Sequence, residues 1–142
     1  MFNPSRDQVR QFFFDVWAKY RAGQPLTGAE QPALEAVLAH PEYHAILEHP
    51  ERFRDREYRP EDGETNPFLH LAMHLALSEQ LAIDQPPGIR THYQRLLTRH
   101  GDAMAAQHAA LECLAEAIWQ VQRHAAPFDA AAYLACLDQH AD

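Results

Sequence analysis

The sequence predicts an all-α protein, an irregular bundle of about six to seven helices around a central apolar helix at about 66–83. Three observations predict it: alanine and leucine dominate, no stretch alternates as a strand does, and apolar residues recur at helical spacing. The 142 residues suffice for one sizeable core. Because no repeat or linker divides the chain, we expect a single helical domain over residues 1–142.

Capping residues and proline set the limits of the predicted helices. Asn3 is the expected N-cap of the first helix. Thr27 and Glu30 open the second with a capping box, in which each side chain bonds the other residue's backbone N–H. Pro41 disfavours a helical residue before it, so this helix ends at His40. The predicted helices span about 4–21, 27–40, 41–48, 66–83, 89–100, 102–124 and 129–140.

The longest irregular stretch, residues 49–65, is rich in charge and carries two prolines and one glycine. A loop of this length in a small domain is either functional or packed by its own aromatic side chains. We expect Phe53 and Tyr58 to anchor it to the rest of the protein.

Composition and charge exclude several classes of partner. The formal net charge of −8 argues against nucleic acid and anionic membranes, since both are polyanions. We find neither an apolar run that would span a membrane nor a secretory signal. Cys113 and Cys136 lie in separate predicted helices, where we expect small buried apolar groups in a reducing compartment rather than a disulfide. The expected location is cytoplasmic.

The central segment, NPFLHLAMHLALSEQLAI, opens with Asn66 as N-cap and carries two histidines among apolar residues. His70 and His74 lie one turn apart on one face, a separation that lets two imidazole nitrogens reach one metal ion. The HExxH form of a zincin helix is absent, so the motif contains no general base. A buried polar group without a partner costs about 1–3 kcal/mol. We therefore expect both rings to be paired inside the protein.

Further histidines and carboxylates are candidates to complete a site around this pair. His108 and Glu112 form another i,i+4 pair, and His44 ends the motif HPEYH, whose first histidine we interpret mainly as a helix-ending residue. Helical bundles build metal sites from such side chains on facing helices. The candidate metal ligands are therefore His70, His74, His108 and Glu112, with His44 as an extra ligand, and the candidate ions are zinc and iron.

Three functions stay open at this stage. The absence of a nucleophile elbow, a phosphate-binding loop or a CxxC pair favours a structural or protein-interaction module with a histidine-lined polar pocket, acting with an unknown protein partner or as a homo-oligomer. One alternative is a metal-binding helical bundle. A second is a metal-independent enzyme that uses His70 or His74 as acid or base. No catalytic residue is predicted, and a non-enzymatic role is favoured.

Several segments together resemble one bacterial protein family. They are NPSRDQVRQFFFDVWAKYRAGQPLT, HPEYH, NPFLHLAMHLALSEQL, DQPPGIR and HAALECLAEAIW, which cover nearly the whole chain. The family is known as domain of unknown function 1841. The resemblance implies a small soluble bacterial helical protein and supplies no catalytic residues. A looser, fold-level likeness exists to metal-binding helical bundles of the hemerythrin and DinB types.

Overall fold

The computed structural model describes residues 5–142, and this part of the chain contains eight α-helices and no strand. The predicted all-α helical bundle is confirmed. None of the described helices has the length and apolar character needed to cross a membrane. The helices are α1 (Arg6–Arg21), α2 (Glu30–Leu38), α3 (His44–Leu47), α4 (Pro50–Phe53), α5 (Pro67–Ile83), α6 (Ile89–His100), α7 (Ala103–His124) and α8 (Ala130–Ala141).

Local hydrogen bonds explain where the first helices begin and end. α1 follows a capping box in which Ser5 accepts from the Gln8 backbone N–H and the Gln8 side chain accepts from the Ser5 N–H. The predicted cap Asn3 lies outside the described residues. In the predicted box before α2, Glu30 Oε1 accepts from the Thr27 N–H at 3.0 Å, and the helix begins at Glu30 itself. The chain leaves the helical conformation at His40, as the following proline predicts.

The helices group into two compact units, the first ending at Leu75 and the second spanning Ala76–Asp142. The first half of α5 belongs to the first unit, and the rest of this helix belongs to the second. Whether the chain acts as the single domain expected from the sequence stays a prediction.

The core of the first unit is built on the aromatic face of α1. The Phe14 ring meets the Phe68 ring of α5 edge to face, with 5.3 Å between the ring centroids. Leu71, one turn further along α5, is fully buried. This arrangement places the first two turns of α5 directly in the core. The buried cluster comprises Phe13, Phe14, Val16, Trp17, Ala33, Ala36, Val37, Leu47, Phe68 and Leu71.

One buried arginine ties the long charged stretch to α1. Arg10 is 1% exposed, and its Nη1 donates to the carbonyl oxygens of Phe53, Arg54 and Arg56 at 3.2, 3.0 and 2.7 Å. Its guanidinium also lies 5.6 Å from the centroid of the Tyr58 ring. Phe53 and Tyr58 pack against the apolar cluster, which confirms them as the anchors of this stretch.

The second unit is built from α6, α7 and α8, each of which packs against the other two. α7 turns several buried alanines towards its neighbours, and small side chains let helices approach closely. In α8, Tyr133 is buried and its hydroxyl donates to Gln80 Oε1 at 2.8 Å. Burial raises the pKa of Tyr133 well above its usual range, so this hydroxyl keeps its proton.

Cys113 of α7 and Cys136 of α8 form a disulfide, with their Cα atoms 5.7 Å apart. The prediction of two separate buried apolar groups was therefore wrong. The physical reason is the packing of α7 against α8, which brings residues 23 positions apart in sequence to bridging distance. Helical periodicity alone does not reveal which helices become neighbours.

Candidate metal centre

The first turns of α5 hold two histidines side by side. Asn66 caps the helix, because its Oδ1 accepts from the backbone N–H groups of Phe68 and Leu69 at 3.0 and 3.2 Å. From this fixed start, His70 and His74 follow one turn apart. Their Nε2 atoms are 3.2 Å apart, and their ring centroids are 4.8 Å apart. His74 is 4% exposed, so the pair faces inward as expected.

A third imidazole, from His40, joins this pair. Its Nε2 lies 3.1 Å from His70 Nε2, and its ring centroid lies 4.8 Å from that of His70 and 4.7 Å from that of His74. His40 is 3% exposed, and the Tyr43 ring stacks on its outer face at 5.4 Å. We call His40, His70 and His74 the histidine trio.

The positions of the ring protons decide how the three facing nitrogens of the trio bond one another. Nδ1 of His40 lies 2.7 Å from the Ala36 carbonyl oxygen, which can only accept, so Nδ1 carries the proton and Nε2 of the neutral ring carries a lone pair. His70 Nε2 faces Nε2 atoms at 3.1 and 3.2 Å, and one imidazole nitrogen carries either a single proton or a single lone pair. A proton on His70 Nε2 would be shared between two lone pairs, whereas a cation would accept one lone pair from each ring.

The nitrogen–nitrogen distances match those of a coordinated ion. Two nitrogens at about 2.0–2.1 Å from a tetrahedral zinc ion lie about 3.3–3.4 Å from each other. The two Nε2–Nε2 distances in the trio, 3.1 and 3.2 Å, are within a few tenths of an ångström of that spacing. The ligand nitrogens of the three residues all lie within 4.8 Å of one another. The trio therefore has the composition and dimensions of a metal centre.

Burial around the trio keeps a neighbouring phenol neutral. The Tyr43 ring also approaches His70, with 6.2 Å between the centroids. Burial, and then the negative charge of Glu42, raise the pKa of Tyr43 above its usual range. Tyr43 therefore borders the trio as an aromatic wall and adds no charge at neutral pH.

His44, predicted as an extra ligand, has another partner. Its Nε2 lies 2.8 Å from the Val37 carbonyl oxygen and therefore donates a hydrogen bond, while its ring packs 4.3 Å from that of Trp17. Ala36 and Val37 belong to the last turn of α2, and the Val37 carbonyl also accepts from the His40 backbone N–H at 3.0 Å. The two histidines of HPEYH thus bond successive carbonyls at this helix end.

His108 and Glu112 lie on α7, in the second unit. The Glu112 side chain is exposed, and its Oε2 lies 3.9 Å from Nε2 of His140. The inclusion of His108 and Glu112 in a metal site stays a prediction from the sequence.

His40 is the site residue that sequence reasoning missed. The two histidines of HPEYH, His40 and His44, are four residues apart, but this spacing brings side chains together only inside a helix. His40 has φ −125° and ψ 68°, and a 3₁₀ turn over Pro41–Tyr43 follows, so His40 and His44 do not share a helical face. The signal that could have separated them is the proline itself, which forces the residue before it out of the helix.

Comparison with known proteins identifies a family and no further relative. The family described as "Domain of unknown function (DUF1841)" matches residues 5–139, nearly the whole chain. No curated protein and no solved structure matches.

Proposed function

The chain belongs to the DUF1841 family, and we propose that it binds a divalent transition-metal ion through His40, His70 and His74. One observation carries the proposal: three imidazole Nε2 atoms, two of them on largely buried residues, converge at distances of 3.1 and 3.2 Å. Neutral imidazole suits zinc, iron, copper and nickel. Zinc and iron, the ions predicted from the sequence, are the first to test.

The partner of the outward-facing nitrogen of His40 supports this role. A metal-bound histidine usually donates its other ring N–H to a carbonyl or carboxylate, which fixes the ring and its tautomer. His40 does so through Nδ1 to the Ala36 carbonyl. Three imidazoles on zinc leave a fourth position for water, a ligand or another side chain. His108 is retained from the sequence as the proposed side chain for that position.

Metal binding is tested on protein purified without a histidine tag and with its disulfide intact. We expect about one zinc or cobalt(II) ion per chain in equilibrium dialysis, and a rise in thermal stability with metal concentration, because a ligand that binds only the folded state stabilises it. His40→Ala, His70→Ala and His74→Ala should each weaken binding by more than about 100-fold, since even outer-shell changes cost 10–100-fold. His108→Ala tests the fourth position in the same assay.

His49→Ala is the matched control. His49 is a half-exposed histidine of the same unit that pairs with Glu51 at 3.2 Å. Its removal should leave metal affinity unchanged. The proposal would be overturned by less than about 0.1 ion per folded chain at saturating zinc and iron(II), or by trio variants that bind metal as tightly as His49→Ala does.

A second candidate function keeps the interaction module predicted from the sequence, with a second copy of the chain as partner. The observation that favours it is Trp119 on α7, which is 48% exposed beneath the guanidinium of Arg123 at 5.1 Å. Tryptophan and arginine are enriched at protein interfaces. Sedimentation over a range of concentrations should show a dimer that Trp119→Ala weakens and that Phe128→Ala, at another exposed aromatic residue, does not.

We keep the cytoplasmic location as part of the proposal. Fractionation of the native host, with detection of the chain in the cytoplasm rather than in an oxidising compartment, tests it. In a reducing compartment the bond between Cys113 and Cys136 would be exposed to thiol reductants. The metal-independent enzyme that uses His70 or His74 as acid or base stays a prediction.

A further inference from the structure

The second unit gathers a different set of ligand atoms around its disulfide. The sulfurs of Cys113 and Cys136 and one imidazole nitrogen of His140 all lie within 4.8 Å of one another. Cys136 and His140 are four residues apart on α8 and share its face, while Cys113 comes from α7. All three residues belong to the second unit, so this cluster is separate from the histidine trio.

We infer that reduction of this disulfide creates a second metal site, with Cys113, Cys136 and His140 as ligands for zinc or another thiolate-seeking ion. Two thiolates and one imidazole are a zinc donor set, and soft thiolates favour zinc over the hard ions that carboxylates prefer. The inference goes beyond the proposed function, because it uses other residues and another oxidation state of the chain.

An exposed carboxylate lies close enough to serve as a fourth donor, and a cavity leaves room for the ion. Glu112 Oε2 lies 3.9 Å from His140 Nε2, so a small side-chain movement would bring a carboxylate to the same ion. In a tetrahedral site with Zn–S bonds of about 2.3 Å, the two sulfurs lie about 3.8 Å apart. Both cysteines border a cavity of about 440 Å³ into which a sulfur can withdraw. The disulfide and the metal site are therefore alternative states of one pair of residues.

The exchange between the two states balances as a two-electron reduction. A dithiol reductant donates two electrons and two protons, so that the S–S bond breaks, both cysteines become thiols and the reductant leaves as its own disulfide. Zinc then replaces the two thiol protons, which pass to solvent, and His140 binds as the neutral imidazole. Reoxidation by a disulfide oxidant re-forms the S–S bond and releases the ion.

Cobalt(II) titration of the oxidised and reduced chain tests the inference. Cobalt bound by thiolates gives a charge-transfer band in the near ultraviolet that histidine ligands alone do not give. We expect this band only after reduction with a phosphine, with an amplitude that saturates at one thiolate-bound cobalt per chain in addition to any cobalt held by the trio, and we expect zinc to displace the cobalt. The histidine trio is measured in the oxidised chain, so each proposal fails or succeeds by its own signal.

Variants assign the ligands. Cys113→Ser and Cys136→Ser should each remove most of the band, and His140→Ala should weaken cobalt binding by the reduced chain more than about tenfold. His100→Ala, at an exposed histidine at the end of α6, is the matched control and should change nothing. If reduction melts the chain, cobalt should restore the helical circular dichroism together with the band. A reduced chain without the band in excess cobalt, or a band that His140→Ala does not weaken, would overturn the inference.

Discussion

In the first unit Arg10, His40 and His74 are buried, whereas the buried side chains described in the second unit are apolar, tyrosine or cysteine. The first unit thus places polar groups where water cannot reach them, and each needs a partner of its own. The second unit keeps its charged groups at the surface and adds a covalent cross-link between α7 and α8.

The two units therefore differ in how buried polar groups and a covalent bond contribute to their stability. Buried polar groups cost free energy unless they are fully bonded, and replacing a complete set of bonded partners with apolar residues is often neutral or stabilising, whereas removing one partner alone destabilises. The burial of His40 and His74 is the arrangement that the metal site proposed above would require. A disulfide mainly restricts the unfolded chain and usually stabilises a fold. Three predictions test this comparison, in order of expected effect.

The largest effect is expected from Arg10→Met. The methionine fills the space of the arginine stem but leaves the carbonyls of Phe53, Arg54 and Arg56 without their donor. Each carbonyl left unbonded costs about 1–3 kcal/mol, so we expect a loss of about 3–5 kcal/mol in the free energy of unfolding, measured by urea denaturation. The control Arg6→Met removes an exposed ion pair with Asp7 and should cost less than about 1 kcal/mol. Equal losses in the two variants would contradict the contrast between buried and surface charge.

A smaller effect is expected from removing the cross-link with the double variant Cys113→Ala, Cys136→Ala. Opening a loop closed over 23 positions costs about 3 kcal/mol by the chain-entropy relation. Urea denaturation in the presence of a chelator measures it, and the reduced natural chain should show the same loss. If the double variant is as stable as the oxidised chain, the prediction that the disulfide stabilises the second unit is wrong.

The smallest effect concerns a surface carboxylate of the second unit. Asp84 accepts from the backbone N–H groups of Arg90 at 3.0 Å and Gly88 at 3.3 Å, and these bonds lower its pKa. A lowered folded-state pKa means stabilisation that is present above the unfolded value of about 3.9 and lost as the pH falls through the folded value.

Asp84→Asn should therefore lower stability at about pH 7, and the deficit should shrink as the pH falls below about 4. Asparagine tolerates the left-handed backbone at this position, φ 51°, so the charge is the main change. Urea denaturation at several pH values measures the difference. Glu79→Gln, at an exposed position on α5, is the control and should show no comparable pH dependence. A deficit that grows towards acid pH would contradict the assigned role.

Local signals predicted the helices well. Asn66 caps α5 as expected, and α6 ends at the predicted His100, before the left-handed Gly101, because caps and left-handed glycines act through bonds to residues close in sequence. His70 and His74 were found for the same reason, since their spacing within one helix fixes their proximity. His40 and the Cys113–Cys136 bond were missed because each depends on contacts between distant segments. No periodic pattern in a single sequence encodes such contacts.

The hydrogen bond from His40 to the Ala36 carbonyl couples the trio to the end of α2. The carbonyl end of a helix carries partial negative charge, which enriches the electron density of the ring that donates to it and strengthens its opposite nitrogen as a ligand. An occupant of the trio would hold the ring still, and the held ring would in turn suppress fraying of the last turn of α2. Amide hydrogen exchange in that turn should then slow on metal addition, so metal binding at the trio would be detectable at a helix end that does not itself contact the ion.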